Sequence, residues 1–323
     1  MIANSGEYRK KNGQRGCVMM NNFIFENKTK VYFGKGGVKE CLGGLLANFG
    51  ETVMLAYGGG SIKCNGVYDE IMGILNAQGK CVVEFSGIMS NPTYAKVQDG
   101  AKLARGNHVD LILAVGGGSV SDCCKVISGA FDTLSHAMET YFGKPDENNL
   151  SDDINEAVMR SVIRNIRVLL TDPENDDARS ELAWASAMAE NGVLKIGKVT
   201  DFQAHQIEHQ LGAYTNCNHG AGLAVIHPVL YRHIYKSGTA RFTRWAQNVW
   251  GIAPKGSDEE TAAAGIDALA AFIKEIGLLT TFTELGIPAD TDFRAIADST
   301  NVTAGCCKKQ TRDEICEILQ ECL

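Results

Sequence analysis

The chain has 323 residues, of which 45% are apolar and 21% charged, with 35 Gly and only 6 Pro; this is globular composition and disfavours a collagen-like, coiled-coil or disordered chain. Its 31 basic and 38 acidic side chains leave a formal charge of −7, which argues against a nucleic-acid or membrane-surface partner. No apolar run nears the roughly 18 residues that a membrane-spanning helix needs. The eleven cysteines are odd in number, contain no CxxC pair and include the adjacent pairs Cys123-Cys124 and Cys306-Cys307, which are poorly placed to bridge. They read as reduced thiols of a cytoplasmic protein.

Residues 1–19 are polar and basic, lack the apolar stretch of a signal peptide, and are expected to be a flexible leader. Residues 20–129 then alternate strand and helix. Thr52–Tyr57 (TVMLAY) predicts a strand that runs into Gly58-Gly59-Gly60-Ser61, followed by a helix through Val67, Ile71, Ile74 and Leu75. Cys81–Phe85 (CVVEF) predicts a second strand, residues 93–104 a helix, and residues 110–115 a third strand running into Gly116-Gly117-Gly118-Ser119. Short apolar strands separated by helices imply βαβ units and a parallel sheet. The pattern changes after Phe131. Ile154, Val158, Val162, Ile166 and Leu169 follow helical spacing, as do Leu182, Ala185 and Ala189, and Thr311 with Glu314 forms a capping-box pattern before a last helix. Residues 130–323 are therefore expected to be all-helical, behind an N-terminal α/β nucleotide-binding domain.

Each GGGS sits where a predicted strand opens into a helix, the place at which ligands bind in open parallel sheets. Glycine admits a close phosphate, and free N–H groups favour negative charge. Ser119 adds a hydroxyl, and Asp122 could cap the helix or touch a ribose. Neither turn is GxGxxG or a P-loop, and each could also be a plain tight turn. Six of the seven histidines lie between residues 136 and 233. Asp132 and His136 are spaced i, i+4 and share a helix face, as do His205 and His209, with His219 ten residues on. One carboxylate among several imidazoles suits a divalent transition metal, although such spacings also arise by chance among capped or hydrogen-bonded helical histidines. His227 and His233 read as structural, and His108 as an exposed turn residue. Phe142, Phe202, Trp184 and Tyr214 could line an apolar pocket or could simply pack helices.

The strings YGGGSIK (57–63), SGIMSNP (86–92), AVGGGSVSD (114–122), FDTLSHAMETYF (131–142), DFQAHQIEHQLGA (201–213) and NHGAGLAVIHP (218–228) resemble the iron-containing (group III) alcohol dehydrogenases, especially their NADPH-dependent butanol dehydrogenase branch. The resemblance implies the dehydroquinate synthase-like fold of that family: a nucleotide-binding α/β domain and a helical metal-binding domain. It implies Asp132, His136, His205 and His219 as ligands of Fe²⁺ or Zn²⁺, and His209 as a neighbour that could relay protons. Gly58, Gly59, Gly60 and Ser61 would hold the adenosine end of the cofactor. Gly117, Gly118, Ser119 and Asp122 would hold its pyrophosphate and ribose. Glycines rather than an acidic residue at the adenosine end leave room for a 2′-phosphate, so NADPH is expected over NADH. The implied reaction interconverts a short-chain primary alcohol and aldehyde, such as butanol and butyraldehyde. This chain departs from the family in one respect: about eighty residues, roughly half a typical domain, are missing between Asp122 and Asp132. With them go sheet strands and a Thr-Gly-Ser/Thr-Glu motif. A degenerate relative that binds metal or nucleotide without turnover, or a polyol or dehydroquinate-synthase-like reaction on the same scaffold, therefore stays open. An exposed edge strand could pair with a second copy into a homodimer.

Overall fold

The computed structural model describes residues 24–26, 29–88, 94–116, 123–144, 148–302 and 307–323, so the expected leader at 1–19 and the second glycine turn at 117–122 lie outside the described residues. The described residues form two compact units, Asn27–Val126 and, together with residues 24–26, Ile127–Leu323.

The first unit runs α1 (Gly37–Leu46), β1 (Thr52–Tyr57), α2 (Ser61–Cys64), α3 (Val67–Ala77), β2 (Cys81–Phe85), α4 (Tyr94–Gly106) and β3 (Leu111–Val115). The strands form a parallel sheet in the order β2-β1-β3. Each expected strand is present, with the third starting at Leu111. The unbroken apolar run of β1 is buried on both faces, as a central strand requires, whereas β3 alternates between partly covered and exposed positions and β2 is exposed at Cys81 and Glu84 and partly covered between and after them. Val53, Leu55 and Tyr57, with Val82, Leu111 and Leu113 beside them, share one core with Leu46 of α1 and Ile71 and Leu75 of α3. The other face is less well covered. Met54, Ala56, Phe85 and Ile112 border an apolar cleft of about 380 Å³ that Val97 and Gly100 of α4 close only in part. Ile112 remains 59% exposed.

The second unit is built of helices: α5 (Cys123–Tyr141), which begins in the first unit, then α6 (Leu150–Thr171), α7 (Asp176–Glu190), α8 (Gln203–Thr215), α9 (His219–Ile234), α10 (Thr239–Asn248), α11 (Asp258–Glu275), α12 (Phe293–Ser299) and α13 (Arg312–Glu321). Among the described residues its one extended pairing is an isolated antiparallel bridge, Lys144–Val199. The Thr311–Glu314 capping box forms as its pattern predicts, and Asn149 with Asp152 makes a second one at the start of α6. Phe142 stacks on Phe242 with ring centroids 4.1 Å apart and meets Tyr231 and Trp245 edge-on. This aromatic block is fully buried, and each such side chain contributes about 2–3 kcal/mol of burial. Asp152 lies beneath it, held by Lys198 and by Arg241 at 2.9 Å; three charges this deep persist because they are paired. Among the described residues no helix is long and apolar enough to cross a membrane, and Cys41, Cys64, Cys81, Cys217, Cys307, Cys316 and Cys322 form no disulfide.

Candidate functional site

Two helix starts and one helix face of the second unit bring the predicted ligands together. Asp132 and His136 lie one turn apart on α5, His205 in the first turn of α8, and His219 at the first position of α9. Asn218 caps α9, accepting from Ala221 N, and so fixes where His219 starts. Asp132 Oδ1 stands 3.4 Å from His205 Nε2, 3.5 Å from His219 Nε2 and 3.7 Å from His136 Nε2, and the His136 and His205 Nε2 atoms are 3.1 Å apart. These separations match the edges of a coordination shell whose metal–donor bonds are about 2.0–2.2 Å. Asp132 Oδ1 is buried yet makes no hydrogen bond, although a buried polar atom is normally satisfied. A carboxylate oxygen left over among three imidazole nitrogens fits a divalent cation.

Two carboxylates that the sequence reading did not single out hold the imidazoles in place. Glu139, fully buried on α5, accepts from the backbone N–H groups of Ala204 and His205, and its carboxylate also pairs with His205 Nδ1. It thus caps α8 and orients a ligand of the same helix. Glu208, also buried, pairs with His219 Nδ1. Each support leaves Nε2 facing the cluster, the arrangement that metal-ligating histidines use. Their signal was a repeated HxxE, His136-x-x-Glu139 and His205-x-x-Glu208. Each Glu shares a helix face with one His but supports the His of a different helix or of the next one, which spacing within one helix does not reveal.

The charges follow from this packing. Burial alone would raise the Asp132 carboxyl, but the imidazoles of His205 and His219 turned towards it outweigh that and hold it well below the usual carboxylate range. Burial opposes a charge on His205, yet Glu139 and Asp132 carry it up to about 9. His219 likewise rises to about 10 against its burial, through Asp132 and Glu208. Without metal the cluster therefore holds protons on the nitrogens that a metal would claim, so loading releases protons. His209 stacks on His219 with centroids 5.3 Å apart and is exposed at the edge of the cluster. Burial and the neighbouring His219 and His205 lower its pKa.

Of the four aromatics, Phe202 lies against the cluster, its ring 5.4 Å from that of His136 and 5.0 Å from that of His205. It adopts φ +56°, a conformation that costs a bulky residue about 1–3 kcal/mol and gathers at functional sites. Phe142 belongs to the aromatic core, and Trp184 and Tyr214 are 45% and 53% exposed. His227 is buried with Nε2 2.6 Å from Ser135 Oγ, His233 meets Glu321 at 3.1 Å, and His108 is exposed.

In the first unit Gly58, Gly59, Gly60 and Ser61 follow the carboxyl end of β1. Gly60 has φ +115°, which suits glycine alone, and a side chain added at Gly59 or Gly60 would point into open space. The turn thus offers bare backbone with room in front of it. Gly117, Gly118, Ser119 and Asp122 fall outside the described residues.

One unit is helical and gathers a carboxylate with three imidazoles, and the other is a parallel α/β unit with a glycine turn. The chain belongs to the iron-containing alcohol dehydrogenase family: residues 28–157 match the family model "Iron-containing alcohol dehydrogenase", and residues 126–323 match "Fe-containing alcohol dehydrogenase family, C-terminal". It is 30% identical over 351 residues to the probable NADH-dependent butanol dehydrogenase 2 of Bacillus subtilis, covering 83% of this chain and 90% of that one. It is 26% identical over 355 residues to the NADPH-dependent aldehyde reductase YqhD of Escherichia coli, covering 83% and 90%. The crystal structure of NADH-dependent butanol dehydrogenase A from Thermotoga maritima superposes with a TM-score of 0.87 at 26% identity, covering 94% of this chain and 99% of that one. The alignment with the B. subtilis protein spans 351 positions but uses 83% of these 323 residues, about 268, so about 83 of its positions have no residue here. That shortfall agrees with the missing stretch expected from the sequence.

Proposed function

We propose that the chain is a metal-dependent alcohol dehydrogenase or aldehyde reductase, with Asp132, His136, His205 and His219 as metal ligands. The observation that carries this reading is the convergence of three Nε2 atoms on Asp132 Oδ1 at 3.4–3.7 Å, with no hydrogen bond of ordinary geometry to that oxygen. Family membership supports a nicotinamide as hydride donor, and the relatives' names support an alcohol or aldehyde, with butyraldehyde as the first substrate to try. Fe²⁺ is the metal proposed, with Zn²⁺ as the alternative these donors also accept.

When bound, the metal supplies Lewis acidity towards the aldehyde oxygen, where negative charge grows as hydride arrives. The chain's own residues prepare that event. Glu139 and Glu208 keep protons on the Nδ1 atoms of His205 and His219, so their Nε2 lone pairs remain on the cluster side. Asp132 contributes a fixed negative charge. The Phe202 ring lies against the rings of His136 and His205 on one side of the cluster. His209, neutral at pH 7 and exposed, holds a proton at one ring nitrogen and accepts one at the other, which suits exchange between the cluster and solvent. At the cofactor turn the adenosine end meets Gly58, Gly59, Gly60 and Ser61, where no carboxylate of the turn opposes a 2′-phosphate, so NADPH is proposed over NADH. Gly117, Gly118, Ser119 and Asp122 remain proposed for the pyrophosphate and ribose on their sequence match.

A second reading, binding without turnover, is favoured by the shortfall of about 83 aligned positions, because hydride transfer fails when its geometry is not held. The deciding assay follows oxidation of NADPH and of NADH by butyraldehyde, anaerobically, with Fe²⁺ or Zn²⁺ restored and His219→Ala alongside. The expected result is NADPH-preferring turnover that the variant loses by at least about 100-fold, the order set by loss of one transition-state stabiliser. A folded, metal-loaded protein that binds nucleotide but turns nothing over would establish the second reading.

A further inference from the structure

A fourth carboxylate approaches the cluster from a different side. Glu190, the last residue of α7, places Oε1 2.9 Å from His136 Nε2. That is the same nitrogen that stands 3.1 Å from His205 Nε2 and 3.7 Å from Asp132 Oδ1. Glu139 and Glu208 hold their histidines by Nδ1, the atom turned away from the cluster. His136 Nδ1 is buried with no hydrogen-bond partner, so Glu190 is not an outer support of that kind. It lies on the ligand side of the ring.

The charge of Glu190 is held by its partner rather than by its helix: the hydrogen bond from His136, and the charges of His136 and Lys195, outweigh its burial and the nearby Asp132 and keep its carboxyl below the usual range. A carboxylate in the last turn of a helix faces the negative end of the helix dipole. Here it also lies close to a cluster that already contains Asp132, Glu139 and Glu208. Three imidazoles, neutral when they ligate, do not balance four carboxylates; a divalent cation offsets half of that charge. A residue that breaks a local rule at a site is where function is to be sought.

Resting on the metal-centre reading above, we propose that Glu190 is a fifth protein donor of that centre, giving a three-nitrogen, two-carboxylate set. A second hard oxygen ligand raises the coordination number above the four of a structural zinc site and suits Fe²⁺ or Co²⁺.

The test uses the whole chain and Co²⁺ as a spectroscopic probe, with wild type, Glu190→Gln, Glu190→Ala and His219→Ala compared. Glu190 is half-exposed at a helix end, so its variants should fold, which far-UV circular dichroism checks. Loss of the fifth donor is expected to weaken Co²⁺ and Fe²⁺ binding about 10-fold or more, the scale of losing a supporting group at a metal site. It should also intensify the visible Co²⁺ bands, because four-coordinate Co²⁺ absorbs more strongly than five- or six-coordinate Co²⁺. If His219→Ala abolishes binding while both Glu190 variants keep wild-type affinity and spectrum, the assignment of Glu190 is overturned and the four-ligand centre stands. If wild type binds no metal, or His219→Ala binds like wild type, the centre itself is wrong and Glu190 falls with it.

Discussion

His227 shows what burial costs a single titratable group in this protein. It is fully buried between Ser135 and the Phe131 ring, whose centroid lies 6.2 Å away. Burial disfavours its charged form and pushes its pKa down to about 4, against an ordinary 6.5. The unfolded chain therefore binds a proton here between pH 6.5 and 4 that the folded chain does not, so stability rises with pH across that window. No stability is lost through this residue above pH 6.5, and the loss grows as pH falls towards 4, where it reaches about 3 kcal/mol at ~1.4 kcal/mol per pH unit. Between pH 7 and 5 the wild type should lose about 2 kcal/mol through this residue. His227→Gln keeps a polar group near Ser135 and does not titrate, so its urea midpoint should fall less over the same interval. Parallel midpoint curves for the two proteins would show that His227 does not govern acid sensitivity.

Among the elements, α10 and α11 meet at Gly265 with no room for a methyl group. A Cβ at Gly265 would stand 2.7 Å from Ala246 Cβ and 3.1 Å from Ala246 Cα. Helix propensity alone favours Gly265→Ala by about 1 kcal/mol. Overpacking against a neighbouring helix costs about 1–3 kcal/mol, and here the obstacle includes backbone, which cannot rotate away. The net expectation is destabilisation by about 1 kcal/mol, read as a lower urea midpoint with an unchanged slope; a raised midpoint would show that the helices can separate. This contact also marks a limit of sequence reading. β1, β2 and β3 were legible because short apolar runs end at glycine or polar turns, and the Thr311–Glu314 cap was legible because its chemistry is local. In AAAGIDAL, Gly265 reads only as a weak helix former, since the partner that requires it lies on another helix. The same holds at the site. Asp132–His136 could be seen on one helix face, whereas the link from Glu139 to His205 spans 66 residues and depends on how α8 meets α5. Glu190 lies beyond any such spacing altogether.

For the whole molecule, the two units differ in how completely they cover apolar surface. The unit Asn27–Val126 has a three-stranded sheet, one face of which borders an apolar cleft, and it leaves Val31, Phe33, Phe49 and Ile112 between 47% and 59% exposed. A sheet of three strands is near the minimum for independent stability. The unit Ile127–Leu323 carries the aromatic block around Trp245 and all four proposed ligands. Heating should therefore melt the α/β unit first, and calorimetry should show two transitions, as two-unit chains commonly do. A metal bound at Asp132, His136, His205 and His219 stabilises only the folded form of the unit that contains them. At a free concentration 100 times the dissociation constant this adds about 2.7 kcal/mol, which for roughly 200 residues raises the transition by about 5–10 °C. The upper transition should move by that amount on adding Fe²⁺ or Zn²⁺, and the lower one should stay in place. Were both to move together, or only one transition to exist, the metal centre would be coupled to the α/β unit, and the loss of family sequence from the chain would have left the two halves folding as one.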